Sequence, residues 1–90
     1  MQATLTSEQL RAARAVLGHS VVYVAEATEI GSATLKRYEA SDGVPKTRKG
    51  HLGTLKRFYE AAGIEFIGSP GDAPGIRFHG APDDTKSDQD

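Results

Sequence analysis

Residues 20–39 of this chain read SVVYVAEATEIGSATLKRYE, and they predict two short helices joined by a tight turn. One side of the first helix carries four small or apolar residues: Val24, Ala25, Ala27 and Thr28. In the second helix, Leu35 and Tyr38 lie three residues apart and form the stripe that should be buried. Ile30 precedes this helix and is placed to pack on Leu35 as a hydrophobic staple. The stretch therefore predicts a pair of closely packed helices.

This arrangement resembles the xre/Cro/phage-repressor family of helix-turn-helix domains. The family motif reads Ser-Gln-x-x-Leu-Ala, then a Gly-Val-Ser turn, then x-x-Thr-Ile/Leu-x-x-Tyr-Glu. The residues that match this pattern are Ser20, Val24, Ala25, Ile30, Thr34, Leu35, Tyr38 and Glu39. The resemblance extends over about residues 5–62 and implies a mainly α fold, a four-helix xre-type helix-turn-helix domain, in a small regulator of transcription.

Two further helices are predicted, one on each side of this pair. Thr6 and Gln9 have the spacing of a capping box at the start of the first helix, and Gly18 supplies its end. The four predicted helices cover about residues 7–17, 20–28, 32–40 and 50–62. Val16 belongs to the stripe that the first helix is expected to turn inward. The predicted core comprises Leu10, Leu17, Val24, Leu35, Tyr38, Leu55 and Phe58.

After the helices, apolar and polar residues alternate and predict two short β-strands, near 64–67 and 76–79, joined by the Gly- and Pro-rich segment 68–75. Because a lone two-stranded ribbon is marginally stable in water, these strands should pack on the helices, pair with a second copy, or do both. A homodimer is therefore expected, with four interface residues: Ile64, Phe66, Ile76 and Phe78. The predicted domain plan is a helix-turn-helix domain at 1–63, a strand pair at 64–79 and a disordered acidic tail at 80–90.

Composition argues against several classes of function. The chain has no cysteine, which excludes disulfides and thiolate metal sites. It contains no run of ~18 apolar residues and no signal segment, so we expect a cytoplasmic protein that does not contact a membrane. His19, His51 and His79 lack the spacing of metal ligands, and no nucleophile is paired with a base. Neither catalysis nor a metal or other cofactor is therefore expected.

The resemblance also suggests a DNA-binding surface. In the family, the loop after the second helix of the motif lies near the DNA backbone, and the corresponding loop here is basic. The candidate DNA-binding residues are Ser32, Ala33, Lys36, Arg37, Lys46, Arg48 and Lys49. The net charge of the chain is −1, but the four aspartates and one lysine of 80–90 contribute −3, which leaves about +2 elsewhere. The basic cluster would suit phosphates, although it also fits a solvated loop and helix face. Lys36 or Arg37 could instead pair with Glu39 or Glu29 on the surface.

Departures from the family motif favour a protein-binding surface instead. Val21 replaces the family's Gln, so the first turn of this helix presents apolar groups where DNA binders present hydrogen-bonding ones. Glu29 replaces the usual turn Gly and would repel phosphate. Exposed apolar patches on small domains often mark protein contacts. The candidate protein-binding residues are Val21, Val22, Tyr23 and Glu26.

Two functions from different classes follow. The favoured hypothesis is an antiactivator-type regulator whose helix-turn-helix surface captures another transcription regulator. The alternative is a dimeric DNA-binding repressor or activator. Packing decides between them, because the protein-binding patch would disappear if Val21 packed beneath Val24 and Tyr23 folded over the first helix.

Overall fold

The computed structural model describes residues 4–80, which form four helices followed by a two-stranded antiparallel sheet. The helices are α1 (Ser7–Leu17), α2 (Val21–Thr28), α3 (Ser32–Ala40) and α4 (His51–Ala61), and the strands are β1 (Ile64–Ser69) and β2 (Asp72–Phe78). The four predicted helices and the two predicted strands are therefore confirmed. All but the first residue of the predicted acidic tail, 80–90, lies outside the described residues.

Local sequence sets the ends of the helices. Thr6 and Gln9 form the predicted capping box, in which Thr6 Oγ1 accepts the Gln9 amide at 3.0 Å and Gln9 Oε1 accepts the Thr6 amide at 2.9 Å. Ser20 Oγ accepts the Tyr23 amide at 3.0 Å, so Ser20 is the cap and α2 begins one residue later than predicted. Gly50 has a φ of 88°, which is not helical, and α4 therefore also begins one residue late.

The core lies where the four helices and the first strand meet. Its buried apolar residues are Leu5, Leu10, Ala13, Val24, Ile30, Leu35, Tyr38, Leu52, Leu55, Tyr59 and Ile64. Two predictions of full burial were wrong, since Leu17 and Phe58 are only partly buried and pack on the outside of this cluster. Tyr59 takes the inner position on α4 in place of Phe58. Val16 was also misplaced: it is 48% exposed because it lies to the side of the inner stripe of α1.

The strands are longer than predicted, and the predicted eight-residue connection is wrong. Only residues 70–71 turn the chain between β1 and β2. The ladder continues across a bulge in β2, where residues 73–74 lie opposite Gly68, which has a φ of 75°. A Cβ at Gly68 would lie 2.2 Å from the carbonyl oxygen of Ala73, so only glycine fits there. An alternating pattern of residue types does not reveal a bulge of this kind.

The strands pair within one chain and pack on its helices, which confirms one of the two expectations for them. Ile64 is buried in the core, and Phe66 and Ile76 are partly buried against it. Phe78 remains 46% exposed. Three of the four residues predicted for a dimer interface thus contact the core of their own chain, and dimer formation stays a prediction that depends mainly on Phe78.

Gln9 connects the sheet to the start of α1. Its Nε2 donates to the carbonyl oxygens of Ile67 at 3.1 Å and of Gly75 at 2.9 Å, which belong to opposite strands. Because Gln9 is 2% exposed, these bonds are shielded from solvent. No helix within residues 4–80 has the length and apolar character needed to cross a membrane.

Candidate protein-binding and nucleic-acid-binding surfaces

An ion pair between α1 and α3 fixes the position of both helices. Arg14 Nε and Nη2 each donate to the carboxylate of Glu39 at 2.8 Å. Hydrogen bonding to Glu39 raises the pKa of Arg14 above its ordinary value. Arg14 Nη1 also donates to the carbonyl of His19 at 3.0 Å, which holds the segment before α2. The suggested pairing of Lys36 or Arg37 with Glu39 is therefore wrong, because Arg14 occupies both carboxylate oxygens.

Tyr38 joins α3 to the loop that follows it and to α4. Its hydroxyl accepts the backbone N–H of Arg48 at 3.1 Å and lies 2.7 Å from Nδ1 of His51. The hydroxyl can satisfy both contacts by donating to an unprotonated Nδ1. Ser7 donates to the carbonyl oxygen of Tyr38 and ties the same turn to α1. His51, which looked isolated in the sequence, therefore helps to position the basic loop.

We define the α2 surface as Val22, Tyr23 and Glu26, which lie on the outer face of α2. Val22 is 58% exposed, Tyr23 is 51% exposed, and Glu26 is exposed one turn further along the helix. Val21, the fourth predicted protein-binding residue, lies on the opposite side and is partly buried against the core. The structure therefore brings three of the four candidates together and places Val21 among the packing residues.

Two rings pack against the ring of Tyr23. The Tyr23 ring lies 4.5 Å from the ring of His19 and 6.5 Å from that of Phe58, measured between centroids, and the other two rings are 6.0 Å apart. We call these residues the aromatic cluster. Such spacing is typical of packed aromatic pairs. Tyr23 thus rests on its neighbours while half of its surface stays open, and Phe58, predicted as core, serves as part of its support.

The α2 surface is acidic as well as apolar. No basic residue occurs in α2, whose sequence is VVYVAEAT. Glu26 and Glu29 are exposed, and neither forms an ion pair within residues 4–80. Glu29 stands where the family motif has its turn glycine, and it adopts the expected left-handed conformation with a φ of 62°. The outer face of α2 therefore presents the carboxylate of Glu26 beside two large apolar side chains.

We define the basic surface as Lys36 and Arg37 of α3 together with Lys46, Arg48 and Lys49 of the following loop. All five are exposed, and in the described part of the chain none forms an ion pair. A groove of about 970 Å³ lies between α3 and the loop, and three of the cations line it: Arg37, Lys46 and Arg48. Glu29 and Asp42 line it too.

The start of α3 supplies only short side chains to this region. Ala33 is exposed and Ser32 is partly exposed. The long polar groups of α3, Lys36 and Arg37, come one turn later, and an Arg37 Nη2 lies 3.3 Å from Thr34 Oγ1. The candidate DNA-binding residues thus form two sets. The fold brings the cationic side chains near the groove of the protein, whereas the side chains of Ser32 and Ala33 are too short to reach far into the major groove of DNA.

Within residues 4–80, no group of three or more His, Cys, Asp or Glu side chains is placed to hold a metal ion. Comparisons of the chain with protein-family models, with curated proteins and with solved structures found no match. Function has to be inferred from the α2 surface and the basic surface themselves.

Proposed function

We propose that this chain is a small transcription regulator with an xre-like helix-turn-helix fold that acts by capturing another regulator through its α2 surface. The observation that carries the proposal is the exposure of adjacent large apolar residues, 58% at Val22 and 51% at Tyr23. Adjacent exposed residues of this kind mark protein contact sites on small soluble domains. Tyrosine is also among the residues that most often dominate the energy of a protein interface.

The aromatic cluster strengthens this proposal. Because His19 and Phe58 already hold the Tyr23 ring, Tyr23 has less rotamer freedom to lose when a partner covers it. A partly ordered aromatic anchor is the kind of side chain that contributes affinity at low entropic cost. The same part of α2 suits DNA poorly, since Val22 offers no hydrogen bond and Glu26 would repel a phosphate.

DNA binding is the second candidate, and the basic surface favours it. Its five exposed cations, with no ion pair in the described residues, would neutralise phosphates along one side of the molecule. Glu29 and Asp42 offset part of this charge inside the groove. Ser32 and Ala33 are too short for the bidentate contacts by which proteins distinguish bases. The basic surface therefore supports electrostatic contact with DNA better than sequence-specific readout.

A complementation experiment tests the proposal. Cells that lack the gene are supplied with variants, and transcript levels are compared with those of the wild type. Val22→Asp and Tyr23→Ala should each abolish regulation while leaving the circular-dichroism spectrum unchanged, because both side chains are half-exposed. Val16→Asp is the matched control: Val16 is 48% exposed on another helix, and its replacement should leave regulation intact.

A loop variant distinguishes the two candidates. Replacing Lys46, Arg48 and Lys49 together by alanine should change regulation little if α2 captures a protein. Loss of regulation in the folded loop variant, combined with normal regulation by Val22→Asp, would instead establish the DNA-binding function. Titration of the ¹⁵N-labelled chain with nonspecific duplex DNA at low salt gives a direct readout: amide shifts limited to the loop indicate weak electrostatic contact.

A further inference from the structure

We infer that the partner of the α2 surface is a protein surface in which an apolar recess is flanked by Lys or Arg side chains. This inference rests on the proposed function and specifies the chemistry of the captured regulator. It comes from comparing the environments of all the glutamates in the chain.

The glutamates divide into two groups. Four of the six have a cationic partner: Glu8 with Arg11, Glu39 with Arg14, Glu60 with Lys56, and Glu65 with Arg77 and His79. The two without an ion pair in residues 4–80, Glu26 and Glu29, both lie on the outer face of α2 or at its end. Glu29 also lines the groove of the basic surface with Arg37, Lys46 and Arg48, so Glu26 is the one of these two that lies beside the exposed apolar pair.

Helix geometry places these groups on one face. Glu26 follows Val22 by four residues and Tyr23 by three, so its carboxylate lies next to both apolar side chains. α2 contains no basic residue that would offset the Glu26 charge. An apolar centre with an acidic border is complementary to an apolar recess with a basic border. A partner with acidic groups there would be repelled, as would the phosphates of DNA.

The border charge is expected to select the partner more than to supply its affinity. Exposed ion pairs at the edge of an interface contribute little energy individually, whereas buried aromatic and aliphatic anchors contribute most. Val22 and Tyr23 would therefore provide affinity, and Glu26 would provide orientation and discrimination against acidic surfaces. The two roles can be measured separately.

Two synthetic helical peptides test the inference. Both carry the same stripe of Leu and Phe, and this stripe is flanked by Lys in one peptide and by Glu in the other. Each is titrated into the ¹⁵N-labelled chain at low salt while the α2 amides are followed. The Lys peptide should bind about 1.5-fold to fivefold more tightly, the range that one exposed ion pair with Glu26 would give, and its advantage should shrink as salt is added.

Matched variants assign the effect to α2. Glu26→Gln should reduce the preference for the Lys peptide, whereas Asp42→Asn should not, although it removes an equally exposed carboxylate. Val22→Asp should weaken the binding of both peptides. These results together would support the inference.

Other outcomes overturn it, and they can be told apart from failure of the proposed function. Equal affinity for the two peptides, or preference for the Glu peptide, overturns the charge inference but leaves protein capture intact if Val22→Asp still abolishes binding and regulation. If neither peptide shifts the α2 amides, the inference fails, and normal regulation by Val22→Asp would show that protein capture fails with it. Shifts of the α2 amides on simple concentration of the chain would identify a second copy as the occupant and overturn the inference.

Discussion

Replacing Gln9 by glutamate would separate two roles that one side chain performs. The side-chain oxygen of Gln9 accepts the Thr6 amide as part of the capping box, while its nitrogen donates to the carbonyls of Ile67 and Gly75 in the hairpin. Glutamate is as common as glutamine at this capping position, so Gln9→Glu keeps an acceptor for the cap. An ionised carboxylate has no proton to donate, so the same change removes both bonds to the hairpin.

The expected loss follows from those contacts. Each hydrogen bond contributes about 0.5–1.5 kcal/mol, and a carboxylate placed in this shielded site would also face two carbonyl oxygens without compensation. We therefore expect Gln9→Glu to lower the free energy of unfolding by about 2–4 kcal/mol at neutral pH. A domain of this size is stable by roughly 5–13 kcal/mol in total, so the change should be large. Lowering the pH should restore part of the lost free energy of unfolding, because a protonated carboxyl can donate one hydrogen bond to a hairpin carbonyl.

Urea unfolding followed by circular dichroism measures the effect. Gln9→Ala removes the side-chain half of the capping box together with both hairpin bonds and keeps the backbone bond to Thr6 Oγ1, while Glu8→Gln is the control for a change of charge at an exposed neighbouring position. If Gln9 acted only as a cap, Gln9→Glu would be neutral and Gln9→Ala alone would be destabilising. An unchanged unfolding midpoint for Gln9→Glu would thus refute the link between α1 and the hairpin.

Four further predictions concern other parts of the molecule. Leu35→Ala should lower the free energy of unfolding by about 2–5 kcal/mol through the cavity it leaves, and a loss below about half a kcal/mol in urea titration would contradict its burial. Glu29→Gly should raise the free energy of unfolding by about 0.5–1 kcal/mol, because glycine adopts a positive φ without strain; a lower melting temperature would argue against this. The hydrogen bond from His79 lowers the pKa of Glu65. The ionised carboxylate therefore stabilises the hairpin above its ordinary pKa of 4.5, and this stabilisation is lost as the pH falls below that value. Glu65→Gln should remove this pH dependence from the amide exchange of the hairpin, and persistence of the dependence would exclude Glu65 as its source. The expected homodimer should dissociate on Phe78→Asp in sedimentation experiments, and a wild-type chain that is monomeric at high concentration would rule the dimer out.

Helix ends could be predicted because their signals are local. The capping box of Thr6 and Gln9 involves residues three positions apart and lies where expected, and Ile30 and Leu35, five positions apart, are both buried in the core. The length of the hairpin could not be predicted in this way. It depends on the positive φ of Gly68 and on a bulge, which determine how the two strands align but leave no periodic pattern in the sequence.

The candidate surfaces depend on contacts between distant parts of the chain. The sequence identified Val22 and Tyr23 as apolar residues in an unusual place, but helical periodicity alone could not decide whether they were exposed. Their exposure depends on how α2 packs, and Tyr23 is supported by Phe58 from another helix. The pairing of Arg14 with Glu39 likewise joins residues 25 positions apart. Such pairs follow only from the tertiary arrangement.

The double attachment of Gln9 also determines how the molecule can open. Separation of β1 and β2 from the helices would break both Nε2 bonds and withdraw Ile64 from the core, so the hairpin cannot detach without disturbing the first turn of α1. Amides of that turn and of the hairpin should therefore exchange with solvent in a single cooperative event with a shared opening free energy. Removal of residues 64–79 would then loosen the helical part as well, which makes a point substitution such as Phe78→Asp the cleaner probe of self-association.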